Sequence, residues 1–133
     1  MTSVRVRAHL ALWVALAVSP SLAAAEAAGG AAADKALYEG KCGGCHSVEA
    51  NRIGPLHRGV VGRRVASAPG YAYSAALRKV TGVWTPARLD KWLQNPQAFA
   101  PGTKMYLSVS DRAERAQIIA YLQSVSPPAA AHK

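Results

Sequence analysis

Cysteine is scarce in this chain of 133 residues, which contains only two. With no further cysteine at ligand spacing, a structural zinc site is disfavoured. Long apolar runs are also missing: the run from Leu10 to Val18 is far shorter than the ~20 residues that cross a bilayer. No stretch alternates apolar and polar residues as a half-buried strand does, so the sequence favours an all-α domain.

Acidic residues are few as well, since 7 Asp and Glu stand against 16 Lys and Arg, for a formal net charge of +9 at pH 7. A strongly basic protein favours an acidic protein partner, nucleic acid or an anionic membrane surface. The chain contains no nucleic-acid-binding motif, and the export predicted below places it away from nucleic acid. We therefore expect no nucleic acid, which leaves an acidic protein partner or an anionic membrane surface.

The N-terminus has the pattern of a secretory signal peptide over residues 1–25. Two arginines precede the apolar run, and small residues up to Ala25 offer a cleavage site of the A-x-A type. The pattern predicts a periplasmic protein, with an uncleaved membrane anchor as the alternative. We further predict a flexible N-terminus over 26–33, one domain over 34–126 and a flexible tail over 127–133.

The most specific signal is the run Cys42-Gly43-Gly44-Cys45-His46. A C-x-x-C-H motif is typical of the attachment of a c-type haem, in which two thiols form thioethers and the histidine ligates the iron. A redox-active dithiol is one alternative, but no βαβ pattern surrounds the motif. A structural disulfide is another, but it would leave His46 without a role.

Helix signals are short and are separated by long loops. A helix is predicted from about Asp34 to Cys42 and another over about 73–79. Thr85-Pro86 predicts the start of a third, which Asn95-Pro96 ends. Asp111 and Glu114 form a capping box before the last helix, which ends at Pro127. Loops this long are uncommon in a compact domain unless they are functional, and here they suit the wrapping of a prosthetic group.

Several motifs in the same order and spacing resemble one family, the small soluble monohaem cytochromes c, and within it the mitochondrial-like branch. The resemblance runs from about residue 34 to residue 126, and its pieces are CGGCH, IGP, GVVGR, APGYAYS, Trp84, WLQNP, PGTKM and IIAYL. It implies an all-α cytochrome c fold, with three to four short helices and long loops around one covalently bound haem c.

The resemblance also implies the roles of the site residues. Cys42 and Cys45 would bind the haem covalently, and His46 and Met105 would be the axial ligands of the iron. The Pro55 carbonyl would accept a hydrogen bond from His46. The contacts to the haem propionates would come from Arg63, Tyr73, Trp84 and Thr103.

Four positions depart from the family pattern. Trp92 stands where a tyrosine often hydrogen-bonds the methionine sulfur, and Leu77 where mitochondrial members often have asparagine. Asp34 replaces a small residue. His57 replaces an apolar leucine; it could ligate iron, but packing or surface exposure is the preferred interpretation.

The function implied by the resemblance is electron transport in a respiratory chain by a non-enzymatic one-electron carrier, expected to be a monomer. Its partners would be redox proteins with acidic docking patches, such as a cytochrome bc complex, a terminal oxidase or a periplasmic dehydrogenase. Lysines at positions 35, 41, 91 and 104 would form a basic rim around the haem edge. The alternatives are a peroxidase or gas-binding protein with a labile distal ligand, and a cytochrome subunit held permanently by a dehydrogenase.

Overall fold

A computed structural model describes residues 22–127 of the chain, with side chains from residue 30 onward. This range contains five α-helices: α1 (Leu22–Cys42), α2 (Ala75–Arg78), α3 (Pro86–Gln94), α4 (Pro96–Phe99) and α5 (Arg112–Ser124). Its single β-pairing is an isolated bridge between Arg64 and Val83. No helix in the range is long and apolar enough to cross a membrane. Most of the predicted signal peptide and of the predicted tail lies outside the described residues.

Helix α1 begins twelve residues before the predicted start at Asp34, at Leu22. The stretch predicted as a flexible N-terminus, 26–33, is therefore helical in this structure. The physical reason is its alanine content, since alanine has the highest helix propensity and outweighs the cost of two adjacent glycines. The predicted cleavage point after Ala25 falls inside this helix.

Helices α1 and α5 pack against each other. Tyr38 on α1 is buried, and its ring lies 4.6 Å from that of Tyr121 on α5. Ile118 is fully buried in the same cluster. This helix pair brings the C-terminal end of α1, where the cysteine motif lies, into the core.

The starts of α3 and α5 follow the predicted capping residues. The Thr85 hydroxyl accepts a hydrogen bond from the Arg88 N–H, and the Asp111 carboxylate accepts one from the Glu114 N–H. Asn95, however, does more than end α3. Its side chain accepts from the Ala98 N–H and caps the additional single turn α4, which the sequence analysis read as loop.

A buried arginine joins α5 to α3. Arg115 is 5% exposed, and its Nε donates to the Asp90 carboxylate at 2.7 Å. Its Nη1 donates to the carbonyls of Val109 and Ser110 at 3.0 and 2.7 Å. The guanidinium thus fixes both the helix crossing and the end of the loop that follows Met105.

Candidate haem site

The cysteine motif forms a tight turn at the end of α1. The Cys42 carbonyl accepts hydrogen bonds from the N–H groups of Cys45 and His46, at 3.1 and 2.8 Å. Gly43 is required there because a Cβ at this position would lie 2.5 Å from the Glu39 carbonyl oxygen. The turn brings both cysteines and His46 to the wall of one cavity.

The two cysteines do not form a disulfide with each other, and Cys42 is buried whereas Cys45 is exposed. Burial raises the pKa of Cys42 to about 11, although Lys41 opposes the shift. Redox-active dithiols have a lowered thiol pKa, so this environment does not suit the thioredoxin-like alternative.

The ring of His46 lines the cavity and is held by a hydrogen bond to the loop. Its Nδ1 hydrogen-bonds the Pro55 carbonyl oxygen at 2.8 Å, the bond that the family resemblance implied. Gly54 lies against the ring, since a Cβ there would be 2.5 Å from Nδ1 and 2.6 Å from Nε2. Burial lowers the pKa of His46, although the bond to Pro55 opposes the shift. A neutral imidazole with Nδ1 occupied has only Nε2 left to bind a metal.

His57 lies directly beside His46 and is partly buried. The two rings stack, with centroids 4.0 Å apart and planes inclined by 19°. The Nδ1 of His57 hydrogen-bonds the Tyr38 hydroxyl at 3.0 Å. Burial lowers the pKa of His57 well below its ordinary value, and the neighbouring His46 and Arg63 add to the effect. The sequence did not predict this pair.

The cavity has a volume of about 320 Å³ and a mostly apolar wall. All nine residues named in the sequence analysis as site residues line it: Cys42, Cys45, His46, Pro55, Arg63, Tyr73, Trp84, Thr103 and Met105. They come from α1 and from three loops, those between α1 and α2, between α2 and α3, and between α4 and α5. The fold therefore brings together residues that are distant in the sequence.

Several polar side chains border the cavity. In the described part of the chain, neither the Trp84 indole N–H nor the Thr103 hydroxyl has a hydrogen bond to protein, although both residues are buried and line the cavity. Both groups are therefore available to donate to a ligand. Arg63 is held in place by donating to the carbonyls of Leu56 and Arg58, at 2.8 and 3.1 Å.

The loop that carries Met105 is fixed by Gln97, which the sequence analysis missed. The Gln97 Nε2 donates to the carbonyls of Thr103 and Met105, at 2.9 and 3.0 Å, and its Oε1 accepts from the Gly102 N–H at 3.3 Å. No local pattern marks such a role, since a glutamine just after the helix-ending Asn-Pro pair is predicted as an ordinary loop residue.

Three of the departures from the family pattern border the cavity, namely His57, which stacks on His46, together with Trp92 and Leu77. Trp92 is buried in a cluster with Trp84 and Phe99, at centroid distances of 5.5 and 5.6 Å. Leu77 is buried as well. This part of the wall is therefore aromatic and apolar.

The rim of the cavity carries lysines and exposed apolar side chains. Lys41 and Lys104 line it, together with Ile53, Tyr106 and Leu107, whose exposed fractions are 76%, 79% and 47%. Two of the lysines predicted for the rim have acidic partners: Lys41 lies 2.9 Å from Glu114, and Lys35 lies 3.7 Å from Glu39. The positive charge of the rim is thus smaller than a count of lysines indicates.

The residues present fit a c-type haem. Two thiols, an imidazole and a thioether border one apolar cavity, and a guanidinium, a phenol, an indole and a hydroxyl border it too. Thiols and axial N and S donors suit attachment and ligation, while the polar donors suit carboxylates such as propionates.

Comparison with known proteins agrees with this fit. The family model described as cytochrome c matches residues 31–126. The chain is 40% identical over 99 residues to a cytochrome c-type cyt cy of Rhodobacter capsulatus, covering 73% of this chain but only 50% of that protein. It is 40% identical over 100 residues to a cytochrome c of Euglena viridis, covering 73% of this chain and 98% of that protein.

Further relatives agree in sequence and in fold. A cytochrome c2 of Rhodopila globiformis is 45% identical over 94 residues, covering 68% of this chain and 89% of that one. The solved structure of cytochrome cH from Methylobacterium extorquens superposes with a TM-score of 0.67 at 42% identity, covering 71% of this chain and 97% of that one. The predicted all-α cytochrome c fold is thereby confirmed, and so is the predicted single covalent haem c. This chain belongs to the cytochrome c family of electron-transport proteins.

Proposed function

We propose that this chain is a one-electron carrier whose haem iron is ligated by His46 and Met105. The observation that supports it best is that His46, Met105 and both cysteines of the attachment motif border the same cavity. When bound, haem c supplies a reversible ferric–ferrous couple. Two protein ligands would fill both axial positions, so electrons would be exchanged without a substrate binding to the iron.

Each proposed ligand is positioned by a different contact. The Pro55 carbonyl fixes the ring of His46 and leaves its Nε2 free. Gln97 holds the loop that carries Met105 by donating hydrogen bonds to the backbone carbonyls of Thr103 and Met105. A thioether ligand favours ferrous iron relative to ferric, so a His/Met pair would give a high reduction potential.

The remaining site residues would bind and neutralise the propionates. Arg63 contributes a positive charge, and the Trp84 indole and Thr103 hydroxyl contribute donors that have no protein partner in the described chain. The Tyr73 hydroxyl accepts a hydrogen bond from the Ala68 N–H at 3.1 Å, which leaves its own proton for a ligand. Buried carboxylates need such donors or a counter-charge.

Carbon monoxide binding tests the proposal. The ferrous holoprotein should bind carbon monoxide slowly or not at all at neutral pH, because Met105 occupies the distal position. The variant Met105→Ala should bind carbon monoxide rapidly. It retains His46 and both cysteines of the attachment motif, so only the distal ligand is removed. Rapid binding by the unaltered protein would instead favour the gas-binding or peroxidase alternative.

We further propose that redox partners dock at the rim defined by Lys41, Lys104, Ile53, Tyr106 and Leu107. Exposed apolar side chains give a partner a surface to bury, and the nearby positive charge attracts acidic groups at long range. Such an attraction is screened by salt, with a Debye length of about 10 Å at 0.1 M.

Small charged oxidants measure the field at this rim without requiring a known partner. Oxidation of the ferrous protein by hexacyanoferrate(III) should slow as ionic strength rises, and Lys104→Glu should slow it further at low salt. Lys79→Glu makes the same charge change at an exposed lysine that does not line the cavity, and should have a smaller effect. Equal effects of the two variants would contradict a role for the rim.

We propose, finally, export to the periplasm through residues 1–25 and activity there as a free monomer. Recovery of the haem protein in the periplasmic fraction, with Glu26 as its first residue and the size of one chain, is the expected result. Recovery in the membrane fraction would support the uncleaved anchor, and co-elution with a larger protein would support a permanent subunit.

A further inference from the structure

Besides Gly54, the ring of His46 has a polar neighbour, the imidazole of His57. His57 stacks on the His46 ring at 4.0 Å, and the Tyr38 hydroxyl holds His57 through a hydrogen bond of 3.0 Å. Tyr38 is itself 3% exposed and packs against Tyr121. The three side chains Tyr38, His57 and His46 therefore form a row that runs from the helix interface to the proposed iron ligand.

The backbone also fixes His57 in this place. Its N–H donates to the Ser47 carbonyl at 2.9 Å, and its carbonyl accepts from the Val60 N–H at 3.0 Å. The ring is therefore held by the chain at one end and by Tyr38 at the other. A ring so constrained limits the orientation of the ring stacked on it, as contacts behind a metal ligand do.

We propose that Tyr38 and His57 act as a pair of positioning residues that orient His46 and lower the reduction potential of the haem. The proposal rests on the proposed ligation of iron by His46. An imidazole and a phenol close to the ligand supply dipoles, which stabilise the more positive ferric state better than apolar side chains would. The stacked ring would also restrain rotation of the His46 ring when haem is bound.

The potentials of His57→Leu, Tyr38→Phe and the double variant test this pair. His57→Leu should raise the ferrous-to-ferric ratio at fixed solution potential by about threefold to tenfold, the range of one net hydrogen bond, where tenfold is about 59 mV for one electron. Tyr38→Phe should shift the ratio in the same direction by less. In the double variant the two shifts should not add, because each single change already breaks the same pair.

A conservative variant separates positioning from simple packing. His57→Phe keeps a stacked ring but loses the hydrogen bond to Tyr38, so it should restore the orientation of His46 without restoring the potential. The hyperfine-shifted proton resonances of the haem methyls in the ferric protein report that orientation. They should move in His57→Leu and return towards the wild-type pattern in His57→Phe.

The results that overturn this inference differ from those that overturn the proposed function. If His57→Leu leaves both the potential and the methyl resonances unchanged in a folded holoprotein, the pair has no such role. If the wild-type protein binds carbon monoxide rapidly, the His/Met carrier proposal fails whatever the His57 variants do. If His57→Leu instead changes the axial ligand set, His57 is itself a ligand and the positioning role is refuted.

Discussion

Replacement of Gly54 by alanine should strain the protein at its proposed proximal ligand. An added Cβ would lie 2.5 Å from His46 Nδ1 and 2.6 Å from Nε2, closer than such atoms come in proteins. Neither the backbone of Gly54 nor the ring of His46 can move easily. The Gly54 N–H donates to the Cys45 carbonyl and its carbonyl accepts from the Arg52 N–H, both at 2.8 Å, while Pro55 holds the ring.

The size of the effect follows from overpacking. An extra methyl group forced into a filled site costs about 1–3 kcal/mol. For a domain of 60–100 residues, each kcal/mol lowers the melting temperature by about 4–8 °C. We expect Gly54→Ala to lower the free energy of unfolding by about 1–3 kcal/mol. We also expect it to alter the absorption spectrum of the holoprotein, because the ring of His46 must shift.

Thermal unfolding of the ferric holoprotein, followed by circular dichroism, measures the loss. Gly40→Ala is a matched control, since a Cβ there meets nothing within 4 Å and Gly40 lies within α1. It should stabilise the protein by about 0.4–1 kcal/mol. If Gly54→Ala were as stable as the wild type, with an unchanged spectrum, the close packing of Gly54 against His46 would be refuted.

Three further changes probe the parts of the fold that carry the site. Gln97→Ala should release the loop at residues 100–105, so that the proposed sulfur ligand is displaced by added imidazole at lower concentration than in the wild type; an unchanged titration would contradict this role. Arg115→Met should cost about 1–3 kcal/mol, because it removes the hydrogen bonds of Arg115 to Asp90 and to the carbonyls of Val109 and Ser110; denaturant unfolding measures it, and a stability equal to that of the wild type would count against this role. Asp111→Ala should lower the midpoint of denaturant unfolding at pH 7 through the lost helix cap, whereas Asp111→Asn, which keeps the accepting oxygen, should lower it less; equal losses would refute the capping role.

The sequence predicted the parts of this structure that depend on neighbouring residues. Thr85-Pro86 and Asp111 with Glu114 are local capping signals, and the helices begin there. The C-x-x-C-H motif also predicts haem attachment from five consecutive residues. Such signals survive folding because the contacts that they predict form within one helical turn.

Contacts between distant segments could not be predicted in this way. The stack of His57 on His46 and its bond to Tyr38 join residues that are 11 and 19 positions apart, and they form only because the loop after α1 folds back against the end of that helix. The hydrogen bonds of Gln97 depend on how the loop after α4 turns back. Lys41 was predicted to contribute a free charge to the rim, but the packing of α1 on α5 places it beside Glu114.

The early start of α1 has a different origin. The glycines at positions 29 and 30 marked an irregular segment, but the surrounding alanines favour a helix strongly enough to continue through them. Asn95 shows the converse case, in which one residue that ends a helix also begins the next turn. Both differences lie away from the cavity and leave the set of residues around it unchanged.

The visible spectrum of the ferric holoprotein, produced in a host that attaches c-type haem, tests the central claim most directly. A methionine sulfur bound to ferric haem iron gives a weak long-wavelength charge-transfer band. The account predicts this band in the wild-type protein and its loss in Met105→Leu. Absence of the band from a folded wild-type holoprotein would show that Met105 does not ligate the iron, and the His/Met carrier proposed here would be wrong.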